Sequence, residues 1–206
     1  RRETGKTEHE AIQFAKEWLG ISGDAISVPT SEERRLASEK AAQEERNDEE
    51  KRLRVAAWLW RSSRDRHDVI IEYLNNRSIP LRELPPCIRA RKLDAEALDK
   101  MGLLKEGVSG EVWAAVFCAT NLKGEVRGVQ QVLIHNGQKL TRSFPDVKHP
   151  KRTNGLMEGA AVKLAMPDDI LALAEGPETG LSFLSATGIP TWVTLGWANF
   201  LRVEVP

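Results

Sequence analysis

Residues 168–196 read DDILALAEGPETGLSFLSATGIPTWVTLG. An apolar run, Ile170 to Ala174, ends on the bare carboxylate of Glu175, and Gly176 and Pro177 follow at once. A Glu in that position must be tolerated by solvent, by a partner or by a chemical task. The pattern predicts strand, helix, strand, a βαβ unit whose two strands run parallel. Loops at the carboxyl ends of parallel strands form the ligand crevice of such units, and Glu175 is expected at that edge. Gly176 lets the backbone turn without a Cβ, and Pro177 suits the first turn of the helix. Glu178 and Thr179 then lie by the helix N-terminus, which favours anions and metal-bound phosphates. A carboxylate there can hold Mg²⁺ or move a proton during phosphoryl transfer. The plainer alternative is that Glu175 and Glu178 do no more than complement the helix dipole.

Other chemical signals are weaker. The tripeptide Gly5-Lys6-Thr7 would need, as a phosphate-binding loop, a further glycine at a position before Arg1, and it sits in a helical context and not after a strand. His9, His67, His135 and His149 have no partner at ligand spacing, although His149 lies in a basic segment that could touch phosphate. Of the tryptophans at 18, 58, 60, 113, 192 and 197, all but Trp197 are expected in the core; Trp197 is left open as a base-stacking residue. Cys87 and Cys118 lie far apart, which gives neither a disulfide framework nor a zinc pattern and makes a reducing cytoplasm the default. Cys118 reads as an inert core residue.

The positioning elements follow from periodicity. The 206 residues carry 30 basic and 30 acidic side chains and 41% hydrophobic residues, enough for a globular protein of one or two domains. No run approaches the roughly 20 apolar residues of a membrane helix, and neither a membrane span nor a signal peptide is expected. Residues 8–20 predict an amphipathic helix with Gly20 as C-cap. From Ser31 to about Ser63 a long helix is expected, with Ser31 as an approximate N-cap. Between Glu32 and Arg54 it holds eight acids and seven bases and little apolar matter, so it reads as a charged spacer whose apolar end, Val55 to Trp60, docks on the next domain. A short helix over 68–77, a Pro-interrupted connection and a helix ending at Gly102 come next. Residues 111–120 and 125–134 predict an antiparallel hairpin, 139–144 a third strand, 146–155 a basic loop and 160–165 a short strand. The fold class is α+β: a helical amino-terminal region with the long charged helix, an antiparallel hairpin subdomain, then the βαβ start.

The block LALAEGPETGLSFLSATGIPTWVTLG resembles the opening of a Toprim domain, most closely that of the Toprim primases of phages, plasmids and integrative elements. KRTNGLMEGAAVKL, EVWAAVFCATNLKGEVRGVQQVLI and IIEYLNNRSIPLRELPPCIR are similar to the blocks that precede that motif in the family, and GKTEHEAIQFAKEWLGI to the helix closing its zinc ribbon. The resemblance implies four regions: the end of the zinc-ribbon region (1–30), a linker helix (31–66), the amino-terminal subdomain of the primase core (67–166) and the first part of the Toprim fold (167–206). It implies that Glu175 is the general base or acid, or a ligand of the catalytic Mg²⁺ or Mn²⁺. It also implies that Arg127, Gln130, Arg142, Lys148, Lys151, Arg152 and Asn154 contact template and nucleotide, a role for which basic side chains on a hairpin and loop are chemically suited. Zinc would belong only to the upstream ribbon. The Asp-x-Asp motif of the family is not among these residues, so the chain is expected to be the middle of a longer primase and inactive by itself. The implied partners are single-stranded DNA and nucleoside triphosphates, with a replicative helicase left open and no membrane. The alternatives are a Toprim nuclease or topoisomerase, for which Tyr73 is poorly placed as nucleophile, and a non-catalytic nucleic-acid-binding module of a mobile-element replication protein.

Overall fold

The computed structural model describes residues 7–18, 30–100, 111–140 and 150–206. The expected cap Gly20 and the segments with Gly102, Arg142, Lys148 and His149 lie outside the described residues. The chain forms two compact units, Arg1–Glu44 and Glu45–Pro206, and its described elements are mixed helix and strand, with one antiparallel sheet and one smaller mixed sheet. No described helix is long and apolar enough to cross a membrane.

The first unit holds α1 (Glu8–Trp18) and the start of α2 (Ser31–Ser62). Both helices open on a capping box. Thr7 accepts from the Glu10 N–H while the Glu10 carboxylate accepts from the Thr7 N–H at 2.7 Å. Thr30 and Glu33 repeat the arrangement at 3.2 and 2.7 Å. The N-cap of α2 is therefore Thr30 rather than Ser31, and the Glu that the box requires stands in register after all. Exposed ion pairs run along α2, Arg35 with Glu39 and Glu50 with Arg54 among them. Only Ala56 and Leu59 of this helix are buried.

The second unit is built on a five-stranded sheet of β1 (Ile88–Leu93), β2 (Val112–Thr120), β3 (Val126–His135), β4 (Gln138–Lys139) and β5 (Lys151–Gly155). The order is β1-β2-β3, and β4 and β5 share the outer edge of β3. The structure thus enlarges the expected hairpin. β1 starts on the last two residues of the supposed Pro-interrupted connection and runs on to Leu93, with Ile88, Ala90 and Leu93 buried between exposed or half-buried Arg and Lys. β5 takes the second half of the expected basic loop, because the free edge of β3 takes residues 151–155 as its partner. The third strand is only Gln138–Lys139, and residues 141–144 lie outside the described set.

Both faces of the main sheet are covered, which is why β2 reads as a nearly continuous apolar run and why β3 is buried along most of its length in spite of its two glutamines. Residues Ala115, Phe117, Ala119, Val132 and Ile134 point to one core, with α3 (His67–Asn75) and a smaller sheet unit. Val112, Ala114, Val116, Val129 and Leu133 point to the other, with Ala56 and Leu59 of α2 and Leu98 of α4 (Ala95–Lys100). The smaller sheet is ordered β6 (Val162–Lys163), β8 (Thr191–Val193), β7 (Ala172–Ala174). β7 and β8 pair in parallel, Ala172 opposite Thr191, and α5 (Pro177–Thr187) connects them. A four-residue helix, α6 (Trp197–Phe200), follows.

Candidate functional site

Glu175 is exposed directly after β7, between the strand and the first turn of α5. Pro177 occupies the start of that helix, where its missing N–H costs nothing. Gly176, by contrast, does not need to be glycine for the turn: its φ of −117° and ψ of 149° are open to any residue. What its bare Cα leaves is room beside β5. A methyl built there would meet only the Lys151 Nζ at 3.9 Å and the Thr179 hydroxyl at 4.0 Å. Lys151 therefore stands next to the Glu175–Gly176 turn.

Glu178, in the first turn of α5, is the centre of the site's electrostatics. Its carboxylate accepts from Lys139 Nζ and Lys151 Nζ at 3.1 Å each, and from the Tyr73 hydroxyl at 3.0 Å. Burial alone would raise its pKa. The Lys151 charge, its own backbone N–H at the helix start and the Lys139 charge outweigh that and bring it down to about 2. Lys139 is pushed the other way from an ordinary ion-paired lysine: burial lowers its pKa, and neighbouring Lys151 adds to that, against the pull of Glu178. Burial and the adjacent carboxylate hold the Tyr73 phenol protonated, well above the ordinary tyrosine range. The cluster ties α3, β4, β5 and α5 together around one negative charge. Glu178 and Tyr73 are residues for which sequence reading gave no role beyond a helix-dipole partner and a displaced tyrosine. Lys139 was not singled out at all; three groups more than 30 residues apart meet only in the fold.

The remaining expected contacts divide between the two faces of the sheet. Gln130 and Thr153 are opposite each other on the Lys151 side, and the Gln130 amide donates to the Thr153 hydroxyl at 3.1 Å. Arg152 and Asn154, paired in register with Gln131 and Val129, are on the α2 side. Arg127 is half-buried at the start of β3, where its carbonyl accepts from the Leu156 N–H. Arg142 and Lys148 lie outside the described residues. So Lys151 and Glu175 come together, with Gln130 on the same face, while Arg152 and Asn154 are turned away from them.

Tryptophan placement also departs from expectation. Trp192 is buried, but Trp58 and Trp18 are exposed and Trp60 and Trp113 only half-buried. Cationic side chains of β1 lie on two of them: Arg89 is 4.1 Å from the Trp60 ring centroid and Arg91 4.8 Å from that of Trp58. Trp197 is 71% exposed after β8, at the carboxyl edge shared with Glu175, and stacks on Phe200. Cys118 is buried and its N–H donates to the Cys87 carbonyl; burial pushes both thiols up to about 12, so they are chemically quiet.

Among the described residues no three His, Cys, Asp or Glu side chains gather at one point. With Glu178 engaged by two lysines, Glu175 is, among the described residues, the carboxylate that this edge offers a metal ion. That suffices for Mg²⁺ held jointly with substrate phosphates, a usual arrangement for that ion, but not for a cage made by these residues alone. No protein family, curated protein or solved structure matches the chain.

Proposed function

We propose that this chain is the central segment of a Toprim-type DNA primase, which as a complete protein builds RNA primers on single-stranded DNA by Mg²⁺-dependent nucleotidyl transfer. The observation that carries the reading is Glu175: a solvent-open carboxylate at the carboxyl end of a parallel strand, at a helix entry, with the Lys151 ammonium alongside. Bound Mg²⁺ would supply charge stabilisation on the transferring phosphate. Glu175 would help hold that ion or take the proton of the attacking hydroxyl. Lys151 is placed to meet a phosphate or the developing charge, and Glu178 keeps it directed toward that edge while leaving part of its surface in solvent. Gln130 and Thr153 add neutral hydrogen-bonding groups on the same sheet face.

The test is primer synthesis by the longest protein that the gene encodes, on single-stranded DNA with labelled ribonucleotides and Mg²⁺. The wild type is expected to make short oligoribonucleotides, and Glu175→Gln to make at least a hundredfold fewer while binding template as before. Synthesis by the variant at the wild-type rate, or none by the wild type across metals and templates, overturns the assignment and leaves a binding module.

A further inference from the structure

Two lysines share the negative charge of Glu178, and they share it unequally. Its Oε1 accepts from the Tyr73 hydroxyl at 3.0 Å and from Lys139 Nζ at 3.1 Å, whereas Oε2 accepts from Lys151 Nζ at 3.1 Å. Tyr73 is fully buried, and the Lys139 side chain is 19% exposed against 38% for Lys151. One carboxylate oxygen is thus committed to an inner pair of donors, the other to a lysine that reaches solvent. That outer lysine also stands beside the Glu175–Gly176 turn.

The chain around Lys139 fixes it in place. Asn136 and Gly137 both have positive φ, 49° and 64°, as a two-residue hairpin turn requires. The turn sets Lys139 opposite Ile134, and directly opposed residues of an antiparallel pair share a face, here the one on which Ile134 packs with α3. At the end of α3 the Asn76 amide donates to the Gly137 carbonyl at 2.9 Å, which ties the turn to the helix that carries Tyr73.

Two ammonium groups and one carboxylate leave a surplus positive charge in this cluster. Glu178 with Lys151 alone would be a neutral pair, and an anion recruiting that lysine would strand a buried carboxylate, which is strongly unfavourable. With Lys139 on Oε1, Glu178 keeps a counter-charge when Lys151 turns away. We propose that Lys139 is a positioning residue for the nucleotidyl transfer: it keeps Glu178 compensated, so that Lys151 can exchange Oε2 for a phosphate oxygen at the Glu175 edge. Tyr73 assists by holding Oε1 beside Lys139. The role rests on the proposed function, but its binding step is measurable without primer synthesis.

The first measurement titrates inorganic pyrophosphate into the wild-type chain by calorimetry, beside Lys139→Met, Lys139→Arg and the double variant Lys139→Met with Glu178→Gln. Lys139→Met should bind about tenfold more weakly, because the surplus charge is gone, and Lys139→Arg should stay near wild type. The double variant removes one charge of each sign and should recover most of the lost affinity, which a lysine needed only for stability would not do. Should Lys139→Met not fold, Lys139→Gln keeps a donor for Oε1 without the charge and gives the same reading. Unchanged affinity in the folded single variant, no recovery in the double variant, or no binding by the wild-type chain overturns the proposal.

The second measurement is primer synthesis by the longest protein that the gene encodes, where Lys139→Met should raise KM for ribonucleotides about tenfold and the double variant should lower it again. Primers made with the same KM by wild type and Lys139→Met overturn the positioning role alone. Pyrophosphate binding as expected in a protein that makes no primers keeps the lysine arrangement and overturns the primase reading.

Discussion

Glu175 and Glu178 share one turn of chain, yet only Glu175 keeps its carboxylate in solvent; Glu178 is buried between two ammonium groups and a phenol. The difference has a measurable consequence in acid. The folded-state pKa of Glu178 is about 2, below the 4.5 of an unperturbed glutamate. A depressed carboxyl stabilises the fold fully above the unfolded value and loses that contribution as pH falls toward the folded one. The pKa difference corresponds to about 3 kcal/mol. Glu178→Gln leaves two lysines without their counter-charge. Urea titrations at neutral pH should find the variant weaker by roughly that amount. The gap to the wild type should close as pH is lowered from 4.5 toward 2; a gap that stays constant over that window would show that the charge is not what holds the cluster.

At the level of elements, the close fit of α5 onto the small sheet sets tolerance. A Cβ on Gly180 would come within 2.6 Å of Val193 Cγ2 and 3.1 Å of Leu164 Cδ1. The crowding costs about 1–3 kcal/mol, more than the gain of up to about 1 kcal/mol in helix propensity. Gly180→Ala should therefore melt a few degrees lower by circular dichroism. Gly176→Ala, whose Cβ meets nothing nearer than 3.9 Å, should melt with the wild type. The reverse ranking would mean that the turn, not the helix–strand packing, demands glycine. A close approach also explains Gly155, with φ of +102° and the Arg127 carbonyl 2.3 Å from where a Cβ would stand. Helices and the β2–β3 hairpin were legible because their apolar periodicity is local. β5 was not: KRTNG carries no apolar alternation, and only the open edge of β3 makes it a strand.

Across the second unit, one core joins the main sheet to the βαβ element: Phe117, Ala119, Val132 and Ile134 share it with Leu164, Leu181 and Val193. The two sheets should consequently unfold together. Leu181→Ala, at a fully buried position, should cost about 2–5 kcal/mol and lower the far-UV and near-UV dichroism midpoints equally. Separate midpoints would mean that the βαβ element folds by itself. The same two-faced sheet sorts the basic residues of one short strand, sending Lys151 toward Glu175 and Arg152 toward Trp58.

The sequence by itself determined the α+β class, the long charged helix, the strand–helix–strand order around Glu175 and the exposure of that carboxylate's edge. Each depends on spacing within one element, where backbone geometry dictates which side chains share a face. Only the tertiary structure decided that Glu178 is buried by Lys139, Lys151 and Tyr73, that β1 and β5 complete the sheet, and that Trp58 lies open under Arg91. Those are pairings between segments far apart in the chain. They are settled by which edges need hydrogen-bond partners and which buried charges need counter-charges, demands that no local pattern records.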